Sequence, residues 1–282
     1  MLEAAAQFRL RRKADRLRQR IEIHGRDETI YQSLADALGY KQNRLPLTLL
    51  AQRLPLALLH KHREDAEALL FGVSGFLETP DLAAARKFTR SYLRSLWDRW
   101  WKHREQFARL ILPPKIWKLS GARPLNHPHR RLGALAALVA NWRKFSALAN
   151  KGEPTDVMSL LTNLQHDFWT KHYTLAAQSS ASSLALIGDS RETEVLANVI
   201  YPVAFAESHD LWSDYKKLRA QLSNRSVKIA AARLFADDPR QKQLLRTVVG
   251  QQGLLQIYED FCLRDASDCA DCPFPEQMRR WP

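Results

Sequence analysis

Cysteine is missing from the first 261 of the 282 residues, and the three present, Cys262, Cys269 and Cys272, fall within eleven positions near the C-terminus. A disulfide network through the body of the chain is therefore excluded. Glycine is scarce, at 10 residues, and no Gly-rich phosphate-binding loop occurs. There is no nucleophile elbow and no His-Glu-x-x-His. His60 and His62 are two apart and His166 and His172 six apart, so neither pair has the i, i+4 spacing of two ligands on one helix face. Both read as surface or packing histidines. No apolar run approaches the ~20 residues needed to span a bilayer. The N-terminal "QFRLRRKADRLRQR" alternates charge with Leu and Ala and lacks the apolar stretch of a signal peptide. A cytoplasmic location without membrane attachment is the expectation, and it argues against a structural disulfide.

What the chain has is positive charge, unevenly placed. Residues 1–141 hold 26 Lys/Arg and 13 Asp/Glu, whereas residues 142–282 hold 17 of each. Within the first half, residues 86–131 carry 13 basic and 2 acidic residues. Such asymmetry is an electrostatic footprint for a polyanion, nucleic acid first. Its bland alternative is a solvated basic face.

Few β-branched residues alternate, and helical periodicity runs almost throughout. "RDETIYQSLADALGY" reads as a complete helix: Asp27 can cap it, Ile30, Leu34 and Leu38 recur every four residues, and Gly39 can stop it. Pro46 and Pro55 suit first helical turns. Further helices are expected over 81–109, 128–148, 156–176, 190–209 with a kink at Pro202, 211–222, 225–235 and 239–261. The fold class is all-α, an irregular multi-helix bundle of ten or more helices. The turn "KGEPTD" marks a candidate boundary between a basic lobe, 1–150, and a second lobe, 151–282, within what is otherwise one continuous domain.

Three segments carry candidate chemistry. In "RKFTRSYLRSLWDRWWKHREQF", Arg86, Arg90 and Arg94 lie on one side of a helix. Trp97, Trp100 and Trp101 cannot all face the core; an exposed tryptophan beside the arginines would stack on a base, and the competing reading buries such tryptophans against neighbouring helices. In "GARPLNHPHRR", Asn126 or His127 can cap the helix that Pro128 opens. Arg123, Arg130 and Arg131 then stand near a helix N-terminus, where anions are favoured. The competing reading has Arg123 bridging helices through backbone carbonyls and Asn126 holding the turn. The third segment is the cysteine cluster, Cys-x6-Cys-x2-Cys. Cys269 and Cys272 have the spacing that lets two thiolates meet one ion. Zinc, with three thiolates and an imidazole or carboxylate, is one reading; a metal-free helix end is another. The spacing is also similar to the first three positions of the iron–sulfur loop in endonuclease-III-type DNA glycosylases. The fourth position is here Met278, a poor substitute for a thiolate.

Six stretches taken in order resemble a bacterial family of unknown function: 39–55, "EALLFGVSGFLE" (67–78), "ARPLNHPHRRL" (122–132), "DFWTKHY" (167–173), "NVIYPVAFA" (198–206) and 251–272. The family's central motif is Arg-Pro-x-Asn-Phe-Pro-x-x-Arg; Arg123, Pro124, Asn126, Pro128 and Arg131 fit it, and His127 replaces the aromatic residue. Members of that family are longer, with an N-terminal half faintly like a nuclease of the PD-(D/E)xK type, which this sequence does not contain. The resemblance thus implies a helical C-terminal module working with or without that partner, and no established activity.

Two classes of function follow. One is a non-enzymatic basic module that binds nucleic acid, or supports a nucleic-acid enzyme, through phosphate contacts. The other is a scaffold whose basic face docks an acidic protein, such as a separately encoded nuclease-like half. An intrinsic enzyme has no sequence handle.

Overall fold

The computed structural model describes residues 1–78, 87–121, 123–220, 225–263 and 271–280. Arg86 and Cys269 lie outside the described residues. The chain is all-α, a multi-helix fold. Among the described residues the β pairing is confined to one antiparallel bridge, Arg219 with Thr247. In chain order the helices begin with α1 (Leu2–His24), α2 (Arg26–Leu38), α3 (Tyr40–Arg53), α4 (Leu56–Lys61), α5 (Ala66–Val73) and α6 (Lys87–Trp101). Next come α7 (Arg104–Phe107), α8 (Pro128–Ala140), α9 (Trp142–Asn150), α10 (Pro154–Thr162) and α11 (Asp189–Val195). The last are α12 (Tyr201–Ala206), α13 (Trp212–Lys217), α14 (Arg225–Phe235), α15 (Gln241–Leu244), α16 (Val248–Tyr258) and α17 (Phe274–Arg279). They gather into two compact units: Arg20–Val195, and Met1–Gln19 with Leu196–Pro282. The boundary expected at residue 150 falls inside Arg20–Val195, where α9 packs against α10 across the turn.

In the unit Arg20–Val195, Ile30, Leu34 and Leu38 of α2 are fully buried, as their four-residue spacing predicts. Asp27 is not the cap. Gly25, at φ 80°, holds that position without a side-chain hydrogen bond. The Asp27 carboxylate instead accepts from Trp142 Nε1 (2.9 Å) and Ser146 Oγ (2.8 Å) on α9. The α3 helix kinks at Asn43, whose side chain pairs with both the N–H and the C=O of Lys118 (2.8 and 3.0 Å). Pro46 then sits in the first turn beyond the kink, where its missing N–H costs nothing. The α5 helix is buried almost all round, packed on α6 and α8. Such close packing needs small residues: a Cβ on Gly72 would overlap the Trp100 indole, and one on Gly133 the Trp169 indole.

Two expected helices of this unit are shorter than their periodicity, and in the other unit the helix expected over 239–261 divides into Gln241–Leu244 and Val248–Tyr258. The helix expected over 81–109 breaks after Trp101, and α7 resumes at Arg104. The helix expected over 128–148 breaks at Asn141, whose Nδ2 bonds the Ala137 carbonyl (2.9 Å) in competition with the helix ladder. A third departs altogether. Of 156–176 only the portion up to Thr162 is α-helical; residues 163–188 contain no α-helix.

In the unit Met1–Gln19 with Leu196–Pro282, Ala6, Leu10, Ala14 and Leu17 form the buried stripe of α1. Val227, Ala230, Ala231, Leu245 and Leu254 make a small core closed by Leu2, Phe235 and Tyr258. Leu196–Ile200 winds as a π-helix ahead of Pro202. Proline has no N–H for the Asn198 carbonyl, so the expected kink takes the form of a wider turn. Glu259 accepts from Arg9 (2.7 Å) and Arg12 (2.8 Å). Burial would raise its pKa, but those bonds and charges bring it down to about 2. Among the described residues no helix is long and apolar enough to cross a membrane.

Candidate functional site

The segment Arg123–Arg131 opens with a short 3-10 turn, Pro124–Asn126, and passes into α8 at Pro128. His127 is the N-cap, its Nδ1 accepting from the His129 N–H (3.3 Å). One helical turn later the chain turns its two arginines inward. Arg130 is fully buried, and its guanidinium donates to the carbonyls of Trp169, His172 (2.9 Å), Leu184 (2.9 Å) and Ala185 (2.8 Å). Arg131, also buried, donates to the Leu186 carbonyl (3.1 Å) and to Asn126 Oδ1 (2.6 Å). These acceptors explain the irregular stretch 163–188. Its carbonyls lack helix partners, and buried backbone groups must be paired. The two guanidiniums supply that pairing. Burial lowers the Arg130 pKa to about 10. Burial, with the charges of Arg191 and Arg130, lowers that of Arg131 to about 9. Both stay charged at neutral pH with carbonyl and amide acceptors in place of a carboxylate.

A second knot lies beside the first. Glu67 of α5 accepts on one oxygen, Oε1, from Tyr92 Oη (2.5 Å), His166 Nε2 (3.0 Å) and Trp169 Nε1 (3.1 Å). Burial would raise the Glu67 pKa, but His166, Tyr92 and Trp169 together hold it below the usual range. Burial first, then the Glu67 charge, pushes the Tyr92 phenol well up. His166 Nδ1 accepts from the N–H groups of Phe168 (3.2 Å) and Trp169 (3.4 Å), which fixes its donor at Nε2. The rings of Tyr92, Phe168 and His172 stack at 3.8 and 3.9 Å, and Phe71 stacks on Trp169 at 5.4 Å. His129 packs edge-on to Phe76 at 4.3 Å, and burial with the neighbouring His127 charge drops its pKa to about 3. Segments 67–78, 123–132 and 167–173 thus meet at one point. A carboxylate oxygen already taken by three donors is a positioning group, not a poised base.

The same unit exposes several basic side chains between residues 90 and 123. Arg90, Arg94, Lys102, Arg109, Lys115, Lys118 and Arg123 are exposed. On α6, Arg90, Arg94, Trp97 and Trp101 follow at intervals of four, three and four, which sets them on one face at ~100° per residue. Leu93, Leu96 and Trp100 take the buried face. Of the three tryptophans, Trp100 is core and Trp101 is 56% exposed. Trp97 stacks on Trp101 (4.9 Å, 22°), and the Arg104 guanidinium lies over the Trp101 ring at 5.4 Å. Arg104 is itself held by Glu78 (2.7 Å).

The model of the family described as a protein of unknown function (DUF2851) matches residues 1–228. The chain belongs to that family. No curated protein and no solved structure matches it. The DUF2851 match takes in both buried knots and the basic face of α6, and ends before the cysteine segment.

The six arginines expected to contact phosphate therefore divide. Arg90, Arg94 and Arg123 are exposed. Arg130 and Arg131 are corrected: buried guanidiniums bonded to backbone carbonyls offer no face to a phosphate. Arg86 lies outside the described residues. Of the cysteines, Cys262 and Cys272 are half-buried, and the Phe261 and Phe274 rings pack at 5.1 Å, bringing the two ends of the segment together. Among the described residues no group of three metal-ligating side chains forms; Cys269 is not one of them. Sequence reading missed Glu67 and Arg191, the latter a buried guanidinium over Tyr40 at 4.4 Å, and had His166 as a surface or packing histidine without its Glu67 partner. Glu67 did leave a signal: it is an acid inside the apolar run of α5.

Proposed function

We propose that this DUF2851 member is a non-enzymatic helical module that binds nucleic acid through phosphate contacts made by the exposed basic face of residues 87–123, alone or in support of a nucleic-acid enzyme. The supporting observation is the α6 stripe, where Arg90 and Arg94 share a face with an exposed indole. Arg90, Arg94 and Arg123 are the leading contacts, with Lys102, Lys115 and Lys118 around them. Binding of this kind tolerates sequence and falls steeply with salt. The test is fluorescence anisotropy with a labelled oligonucleotide at several salt concentrations. Arg90→Ala with Arg94→Ala is expected to weaken binding and lower the salt slope by about two. No binding by the wild type near physiological salt overturns the proposal.

A second reading is favoured by two exposed apolar residues, Leu119 (45% exposed) and Leu125 (47%), near basic Lys118 and Arg123 in sequence. It makes the face a dock for an acidic protein, the candidate being a polypeptide with the nuclease-like half that the family resemblance implies. Such a complex buries apolar area and survives moderate salt. At the C-terminal end, zinc held by Cys262, Cys269 and Cys272 remains part of the proposal, supported by the Phe261–Phe274 contact that closes the segment. Zinc there would staple a chain end with little core of its own.

A further inference from the structure

We infer that the α6 stripe selects single-stranded over duplex nucleic acid by stacking an unpaired base on the exposed Trp101, which the half-buried Trp97 backs. The inference rests on the nucleic-acid reading above and adds the form of the ligand. Phosphate attraction alone does not favour a single strand, because a duplex carries the denser charge. Tryptophan does. A base in a duplex has its faces covered by its neighbours, whereas a base in a single strand offers a free face.

Three features make Trp101 a platform and not an incidental exposed ring. It is 56% exposed although Trp100, its neighbour in sequence, is fully buried, so the helix register commits it outward. Its plane is fixed, since Trp97 one turn earlier stacks on it at 4.9 Å with an interplanar angle of 22°. An ordered ring loses little freedom on binding. Its π face is electrostatically tuned by a guanidinium over the ring. Arg104, tethered to Glu78 by hydrogen bonds of 3.3 and 2.7 Å, lies 5.4 Å from the ring centroid. Arg94 and Arg90 continue the stripe on the same face, so a strand whose base extends the indole stack runs its phosphates past them. Alternation of guanidinium and indole along one helix face fits a flexible backbone with splayed bases.

The full-length protein is titrated against three fluorescein-labelled 20-nucleotide probes at one salt concentration: a single strand, a hairpin duplex, and an abasic single strand. The wild type is expected to prefer the single strand to both others by about tenfold or more. Trp101→Ala should weaken single-strand binding roughly 5- to 150-fold, the equivalent of one stacked base. It should leave duplex and abasic binding unchanged, and Trp101→Phe should restore most of the loss. Arg94→Ala should weaken all three probes alike. Equal wild-type affinity for single strand and duplex, or a Trp101→Ala loss shared by the abasic probe, overturns the inference while leaving the phosphate reading intact. Absence of binding to every probe overturns both.

Discussion

Replacing Arg130 tests the structural account at its most exposed point. Its guanidinium donates to four backbone carbonyls, those of Trp169, His172, Leu184 and Ala185, from a site with no solvent access. In Arg130→Met the aliphatic volume is kept and all four donors vanish. Each buried carbonyl left without a partner costs about 1–3 kcal/mol. The full sum overstates the effect, because part of the irregular segment relaxes to meet water and because the guanidinium no longer has to be desolvated. Breaking one partner of a buried charged network is worth about 3–5 kcal/mol, and that is the expected loss of stability. Against a whole-protein stability of about 5–15 kcal/mol it is large. Arg130→Lys should recover only a part, since an ammonium has three donors at one point and cannot span two pairs of carbonyls. Urea denaturation followed by far-ultraviolet circular dichroism gives the magnitude. Hydrogen exchange gives the place: the amides of Ser180 and Leu184, which bond Lys171 and Thr170 carbonyls at 2.7 Å, should exchange faster in the variant. A loss below about 1 kcal/mol with unchanged exchange at Ser180 and Leu184 would refute the clamp.

Acid should find His129 next. Its folded pKa of about 3 lies below the ordinary value of 6.5, so between those limits the unfolded chain binds more protons. Stability should fall as pH drops from 6.5 toward 3, at about 1.4 kcal/mol per pH unit, and His129→Phe should flatten that slope; an equally steep titration in the variant would exclude His129 as its source. Glu259, brought down to about 2 from 4.5, adds a loss over the lower window of pH 4.5 to 2, which Arg9→Ala with Arg12→Ala should abolish. Gly133→Ala should cost about 1–3 kcal/mol by driving a methyl into Trp169 and should blue- or red-shift tryptophan emission; a neutral substitution would mean that the indole moves aside freely. For the cysteines, elemental analysis of untagged protein should find about one zinc per chain, lost in Cys269→Ser. A brown protein with iron and sulfide would point to a cluster, and neither metal would leave a helix end and its turn.

Much of the helical fold was legible because the signals were local. The Ile30, Leu34 and Leu38 spacing placed the buried face of α2, and the helix over 225–235 was read at its observed limits. Two of the errors share a cause: a side chain whose partner is far away in sequence. Asp27 has the chemistry of a cap, yet Trp142 and Ser146 claim its carboxylate. The stretch 163–176 has helical spacing, yet His166 turns back on its own backbone and the carbonyls go to arginines some forty residues upstream.

The same cause limited the reading of the site. Six arginines looked alike as a charged run, because sequence records charge and not direction. What separates them is the register of two helices. On α6 the arginines centre roughly 100° around the helix from the middle of the Leu93, Leu96 and Trp100 stripe, so they face outward with Trp101. On α8 the run after Arg131 is Leu-Gly-Ala-Leu-Ala-Ala-Leu, buried throughout, so residues 130 and 131 enter a helix with no exposed position until Ala140. An arginine at the head of a helix buried on all sides has to go inward, and once inside it needs acceptors that no helix can spare. An irregular segment with unpaired carbonyls is what meets that need. The adjacency of an arginine pair to an all-apolar helix was therefore the readable sign that these two guanidiniums build the fold, while Arg90 and Arg94 keep to the exposed face of α6 with Trp101.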